Sequence, residues 1–352
     1  MMRKKIWLTL LAVGSVLALG GCGKQGESAQ KQSREIPVVQ KDIFAMDTYM
    51  SVTGYGERAE EAVAASLQEI TRLDKMLSVG NPDSEISVIN SEGTGSISRE
   101  TAVMVEKALE VGERTGGKFD ITIFPLMVEW GFTSGEFRVP EQERLQELLE
   151  QVDFHQVDFD SEQGTVTLEA GQGMDLGGIA KGYTSDRIME LFREYGLVSG
   201  VVTLGGNVEC FGTKTDGSYW NCGIRDPFDE SELLGAVAVK DSAVITSGAY
   251  ERNFTDEKTG QIYHHIIDPA TGYPADSGLV SVTIVSKSGL LADALSTALY
   301  ILGEEKAVEY WRQYGDEFDM VLMTEDKRVV VTEGIAERFT SDYEVIIAGA
   351  ED

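Results

Sequence analysis

The stretch 175–183, DLGGIAKGY, places a carboxylate, two adjacent glycines and a lysine at the entrance to a segment with helical spacing. Two glycines in a row permit positive φ and a close approach of backbone to a ligand, which suits a sharp strand-to-helix turn. A helix opening near Ile179 would aim its first N–H groups into that turn, a geometry that favours an anion. Asp175 beside an anion site is tolerated best where it accepts a hydrogen bond from a ligand or orients a cation, and Lys181 supplies positive charge one turn in. The same pattern also serves as a purely structural turn, because Gly-Gly before a helix is common.

Around this junction the pattern alternates. Apolar residues at helical spacing predict helices over 57–78, over 101–117 (stopped by glycines) and over 140–151. The stretches TVTLEA and SGVVTLGGNVECFG read as strands on either side of the helix opening near Ile179. LGAVAVKDSAVITSG, YHHIIDP and LVSVTIVS add further strands, LLADALSTALYILG and EEKAVEYWRQYG two more helices, and DMVLMTEDKRVVVTEGI a closing hairpin. With 352 residues, 42% of them hydrophobic, the chain can bury a large core. The expectation is a single α+β domain over residues 42–340, with room for two lobes, and a C-terminal tail over 341–352.

Ahead of that domain, residues 1–21 combine Arg3, Lys4 and Lys5 with an apolar run and small residues before Cys22, the form of an export signal. Leu19-Gly20-Gly21-Cys22 matches a lipobox, in which cleavage leaves Cys22 as a lipid-bearing N-terminus. The apolar run from Ile6 to Leu19 is short for a helix crossing a bilayer about 30 Å thick. Residues 22–41 then read as the lipidated cysteine and a polar tether, placing the domain on the outer face of a cell membrane. Removing three basic residues with the signal takes the net charge from −29 to −32. Such a surface argues against nucleic acid as a partner, and a phosphate-bearing ligand needs a cation or oriented backbone dipoles to bind it. Cys210 and Cys222 flank a segment with a turn signal at Asp216-Gly217, so they could face each other across a hairpin, as a disulfide or as two buried thiols.

Two further clusters carry chemistry. In LADALSTAL (291–299), Asp293 and Thr297 stand four residues apart and share one helix face. A carboxylate and a hydroxyl set in an apolar surface suit Mg²⁺, which takes few protein ligands; an ordinary buried hydrogen-bonded pair is the plainer alternative. His264 and His265 are adjacent, so on a strand only one of them can enter a given site. With no further His or Cys cluster they do not form a zinc site, and one of them could be a general base or a neutral structural histidine.

Taken in order, DLGGIAKGY, TLGGN (203–207), TSGAYER (246–252), HIIDPATGYP (265–274) and DALSTALYILG (293–303) resemble the ApbE family of FAD:protein FMN transferases. The resemblance extends to MDTYMSV (46–52), SEISVIN (84–90), GGKFDITIFPLMVEWGF (116–132) and DGSYWNCGIRDP (216–227). It implies a T-fold-related domain and a Mg²⁺-dependent enzyme that cleaves the FAD pyrophosphate. FMN would pass to a Thr or Ser of an exported or membrane redox protein bearing a D-x-x-[ST]-G-A-[ST]-like motif, releasing AMP. By motif position, Asp293 and Thr297 would ligate the metal together with the main chain at Gly178. Met46, Lys118, Phe119, Asp120, Asp175, Lys181, His265 and Ile267 would line the FAD site. His265 would activate the acceptor hydroxyl, with Asp293 as the second catalytic residue.

Ala249 departs from the resemblance, since the family usually has Asp or another polar residue there. The same segment echoes the acceptor motif but has Val244 in place of its Asp and Tyr250 in place of its final hydroxyl, so no self-flavinylation is expected. Two other activities remain consistent with these residues: an FAD pyrophosphatase yielding free FMN and AMP, and a non-catalytic flavin-binding lipoprotein.

Overall fold

In the computed structural model, residues 36–349 are described; the signal segment 1–21, Cys22 and tether residues 23–35 lie outside them. The chain opens with a hairpin, β1 (Val38–Ala45) and β2 (Thr48–Tyr55), so the last residues expected to be tether already form a strand. Next come α1 (Ala59–Leu77), α2 (Glu85–Glu92), β3 (Thr94–Ser96) and α3 (Arg99–Arg114). Ser84 and Ser98 start α2 and α3 by accepting hydrogen bonds from Ser87 N and Thr101 N. After α4 (Phe124–Trp130) and α5 (Gln142–Leu149), the short β4 (Asp158–Asp160) and β5 (Thr165–Thr167) pair, and β5 also pairs with β3.

The second half runs α6 (Ala180–Glu194), β6 (Ser199–Leu204), β7 (Asn207–Phe211), β8 (Trp220–Arg225), β9 (Leu233–Val239) and β10 (Ser242–Gly248). A two-stranded ribbon, β11 (Asn253–Thr255) and β12 (Ile262–His264), precedes β13 (Leu279–Ser286), α7 (Gly289–Leu302), α8 (Glu304–Tyr314) and β14 (Phe318–Thr324). β15 (Val329–Thr332), α9 (Glu333–Ala336), β16 (Phe339–Thr340) and β17 (Val345–Ala348) close the chain.

Nine strands form one sheet in the order β1-β2-β6-β7-β10-β13-β14-β15-β17. All neighbours are antiparallel except β15 and β17. One face is covered by α1, α6, α7 and α8, with α3 packed against α7; the other is covered by the small sheet β16-β9-β8. Covering on both faces explains why β13 is buried almost throughout, its Ser and Thr residues included, instead of alternating. From Ile36 onward the chain is one compact unit, with no second lobe. The expected C-terminal tail is corrected too: β17 pairs with β15 in parallel, Val329 opposite Val345, because Val-Ile-Ile-Ala supplies an edge strand for the large sheet. No helix among the described residues is long and apolar enough to cross a membrane.

Candidate active site

A cleft of about 690 Å³ lies where α6, α7, the β1–β2 turn and the segment before β13 converge. Its floor is set by α7. Ser288 starts that helix by accepting from Leu291 N, and the Asp186 carboxylate accepts from Gly289 N at 2.7 Å and Leu290 N at 2.9 Å. One turn on, Asp293 is buried and held at both oxygens: Oδ1 accepts from Asn207 Nδ2 at 2.9 Å, Oδ2 from Gly182 N at 2.8 Å. Lys181 Nζ lies 3.9 Å from Asp293 Oδ1. Thr297 Oγ1 lies 3.4 Å from Ser247 Oγ, and a Cβ at Gly178 would come within 3.9 Å of Thr297 Oγ1 and 3.0 Å of the Phe119 ring.

Gly178 therefore leaves open a corner that a side chain would fill. Asp293 and Thr297 line the cleft with Gly178, so the lining there offers hard oxygen donors, and each Asp293 oxygen keeps a second lone pair. Such a set fits Mg²⁺, which completes its shell with water and ligand oxygens. It does not resemble a zinc or multi-carboxylate site, and among the described residues no group of three or more His, Cys, Asp or Glu is placed to hold a metal.

The glycine turn differs from its expected form. Strand β5 ends at Thr167, so residues 168–179 reach α6 as a loop rather than as a strand-to-helix turn. Asp175 anchors this loop: its N–H donates to the Ile121 carbonyl, and its Oδ1 accepts from Gly177 N at 2.7 Å. Ile179, at the N-cap of α6, gives no side-chain cap; the carboxylate of Asp293 from α7 accepts from Gly182 N in the first turn instead.

All eight residues expected to line a nucleotide site do line the cleft, but not all offer their side chains. Asp120 spends its carboxylate on local structure, accepting from Thr122 N and Oγ1 and from Phe154 N. Lys118 is paired with Asp268 at 2.9 and 3.1 Å. Met46 presents its backbone in a left-handed conformation, with its N–H donating to Asp74 Oδ1. Phe119 and Ile267 are buried walls, and Ile267 bridges to Pro274.

The two histidines separate as expected. His264 ends β12 and turns away, its Nε2 3.1 Å from the Ala275 carbonyl and its ring edge-on to Tyr300. His265 enters the cleft. The strand expected through YHHIIDP is regular only to His264: His265 N–H still donates to the Arg252 carbonyl in the β11–β12 register, and beyond it the chain leaves β11 to pair with Pro274 and Ala275. That same carbonyl lies 3.1 Å from His265 Nδ1, and a carbonyl can only accept, so Nδ1 carries the proton and Nε2 is the accepting nitrogen.

Acidic groups outnumber basic ones around the cleft: Asp47, Asp74, Asp120, Asp175, Glu251 and Asp293 against Lys118, Lys181 and Arg252. Desolvation raises the pKa of Asp175, opposed by the Gly177 N–H and by the charges of Arg252 and Lys181. Desolvation also pushes Glu251 up to about 7, against the pull of Lys181 and Arg225. His265 is driven down to about 3 by desolvation first, with the Arg252 and Lys181 charges adding to it, so its ring is neutral at neutral pH.

Asn207, Ser247, Glu251, Arg252 and Asp74 belong to the cleft and carried no assigned role from sequence. The signal for the first four lay inside TLGGN and TSGAYER, where polar side chains flank glycines at strand ends. Ala249, the departure from the family pattern, packs against the apolar core and does not line the cleft. Cys210 and Cys222 stand on strands of different sheets rather than across a hairpin, and both are free thiols.

Comparison with known proteins agrees with this geometry. The sequence matches the ApbE family over residues 46–322. It is 33% identical to the FAD:protein FMN transferase of Treponema pallidum over 94% of this chain and 95% of that protein. A Klebsiella pneumoniae protein of the same description is 32% identical over 82% and 91%. The crystal structure of the ApbE protein of Thermotoga maritima superposes with a TM-score of 0.79 at 30% identity, covering 85% of this chain and 98% of that one. The flavinyl transferase ApbE of Pseudomonas stutzeri gives 0.76 at 26% identity, over 86% and 97%. With the family match spanning most of the chain and relatives aligning over nearly their full length, this protein belongs to the ApbE family.

Proposed function

We propose that the protein is a Mg²⁺-dependent FAD:protein FMN transferase. In this reading it cleaves the FAD pyrophosphate, joins FMN through a phosphoester to a Thr or Ser of an exported or membrane redox protein, and releases AMP. The observation that carries the reading is the part of the cleft lined by Asp293 and Thr297, one helical turn apart on α7, with Gly178 against Thr297 and Lys181 beside Asp293. A bound Mg²⁺ would neutralise charge developing on the phosphate oxygens.

The chain's own residues then divide the work. Asn207 and Gly182 N–H hold the Asp293 carboxylate in one orientation. Lys181, one of three basic side chains in a cleft with more acidic ones, would add positive charge beside the phosphates. His265, fixed as the Nδ1–H tautomer by the Arg252 carbonyl, presents an unprotonated Nε2 that can accept a hydrogen bond from the acceptor hydroxyl and orient it. Glu251 sits in the same cleft with a pKa near 7, matched to receiving the hydroxyl proton at neutral pH.

The lipobox supports placing the enzyme on the outer face of a cell membrane through lipid on Cys22, where exported acceptors would be in reach. A lipid mass on the N-terminal peptide checks this; an unmodified Cys22 thiol in membrane extracts contradicts it.

The test of the function incubates the protein with FAD, Mg²⁺ and an exported domain bearing the acceptor motif, followed by intact mass and nucleotide analysis. One FMN gained per acceptor with one AMP released supports transfer. Free FMN and AMP without labelled protein would make the enzyme a pyrophosphatase, and intact FAD with a competent acceptor would make it a flavin binder.

A further inference from the structure

We propose that Cys210 and Cys222 are a disulfide-forming pair that joins the two packed sheets of the fold. Cys210 lies on β7 of the large sheet and Cys222 on β8 of the small sheet. Side chains alternate along β7: Asn207 and Glu209 point toward the helices, and Val208 and Cys210 toward the small sheet. Cys222 reaches the same layer from the opposite side, among Ile224, Leu234, Val237, Val239 and Val244.

The two sulfurs are 3.5 Å apart, and both residues are buried, at 1% and 6% exposure. A disulfide needs about 2.05 Å between sulfurs. The pair is thus in contact, and closing it calls for side-chain rotation and a small shift of packed strands rather than a rearrangement. No other cysteine lies among the described residues, so the folded domain offers neither thiol another partner.

The oxidant is an external disulfide, either low-molecular-weight or carried by a thiol–disulfide oxidoreductase. One cysteine thiolate attacks a sulfur of that disulfide, forming a mixed disulfide and releasing one thiolate. The second cysteine, as thiolate, attacks the mixed disulfide at the first cysteine's sulfur and expels the other half of the oxidant. Two S–H bonds are lost and one S–S bond is gained; the external disulfide is reduced to two thiols, which take up the two protons. Burial slows this exchange in the folded protein, so the bond forms during folding, before the layer closes.

The bond would close a loop between residues 12 apart in sequence and pin β7 to the small sheet. The opposite face of β7 carries Asn207, which orients Asp293. The inference is independent of the metal and flavin reading.

The test uses the full-length chain, unfolded with reductant and refolded by dilution into a glutathione redox buffer. After denaturation, remaining thiols are blocked with iodoacetamide and peptides are mapped by mass. The expected result is a Cys210–Cys222 linked peptide with neither residue alkylated. A Tm about 5 °C above that of the reduced protein, abolished by dithiothreitol, is expected with it. Cys222→Ser should lose both the link and the reductant-dependent shift. Alkylation of both residues, stable glutathione adducts on them, or a bridge to Cys22 would overturn the proposal, and the peptide map decides the matter on the unmutated chain even if the variant fails to fold.

Discussion

At the residue scale, the cleft depends on backbone held in uncommon conformations. Met46 and Asp47 form the two-residue turn between β1 and β2 with φ of 48° and 57° and no glycine at either position. Hairpins of this kind favour Asn-Gly, so the turn needs external support. Asp74 provides it, accepting from Met46 N at 3.0 Å. Asp74→Ala should cost about 1–2 kcal/mol, a fall in Tm of roughly 2–4 °C by thermal unfolding. An unchanged Tm would show that the turn holds itself.

Glu209 is another such residue. It is buried with Oε2 lacking a hydrogen-bond partner, and desolvation first, then the Asp186 charge, hold its pKa well above the usual carboxylate range. The folded state keeps it protonated while the unfolded chain ionises it near its ordinary pKa. Its contribution is therefore complete below the unfolded pKa and lost as pH rises through the folded one. Glu209→Gln should flatten the fall in stability that sets in as pH rises above the ordinary carboxylate range, measured by denaturant unfolding across pH. An identical slope in both proteins would contradict this.

At the scale of elements, the site is made by the crossing of α6 and α7. A Cβ at Gly182 would lie 2.1 Å from the Gly289 carbonyl oxygen and 2.7 Å from Asp293 Cβ, so the helices touch at glycine. Gly182→Ala should force them apart, costing about 2–3 kcal/mol and displacing Asp293. Loss of stability together with weakened Mg²⁺ dependence is the expected result, and a variant as stable and active as the parent would refute the contact.

Much of this level could be read from sequence. The apolar spacing around α1, α3, α6, α7 and α8 is long and regular, and it put Asp293 and Thr297 on one face of α7. The short α2 and α4 escaped, since seven or eight residues give too little periodicity. Ile266 and Ile267 suggested a longer β12 than exists, because past His265 the chain leaves β11 and pairs with Pro274 and Ala275, a switch that no local pattern shows. Asn207 and Glu251 were hidden for a similar reason: their roles come from strand ends brought to α7 by tertiary folding.

At the scale of the whole molecule, helices on one face of the nine-stranded sheet carry the cleft, and the small sheet on the other face buttresses it. Sequence showed β5, β6, β7, β9, β10, β12, β13 and the β14–β15 hairpin, but neither the β1–β2 hairpin nor β8, nor how the strands divide between sheets. β9 and β10 follow one another directly, yet β9 pairs with β8 and β16 while β10 joins β7 and β13. Residues 341–352 looked like a tail because a short edge strand has no partner visible in its own sequence.

The measurement that bears most directly on the central claim is covalent FMN labelling of an acceptor domain, read by in-gel flavin fluorescence while Mg²⁺ is titrated. The parent protein should label the acceptor with saturable Mg²⁺ dependence and lose labelling in EDTA. Asp293→Ala should reduce labelling by at least about a hundredfold if charge stabilisation at this corner supplies several kcal/mol, and Thr297→Ala should shift the curve to higher Mg²⁺. Labelling that persists in EDTA, or an Asp293→Ala variant as active as the parent at the same Mg²⁺, would contradict the account.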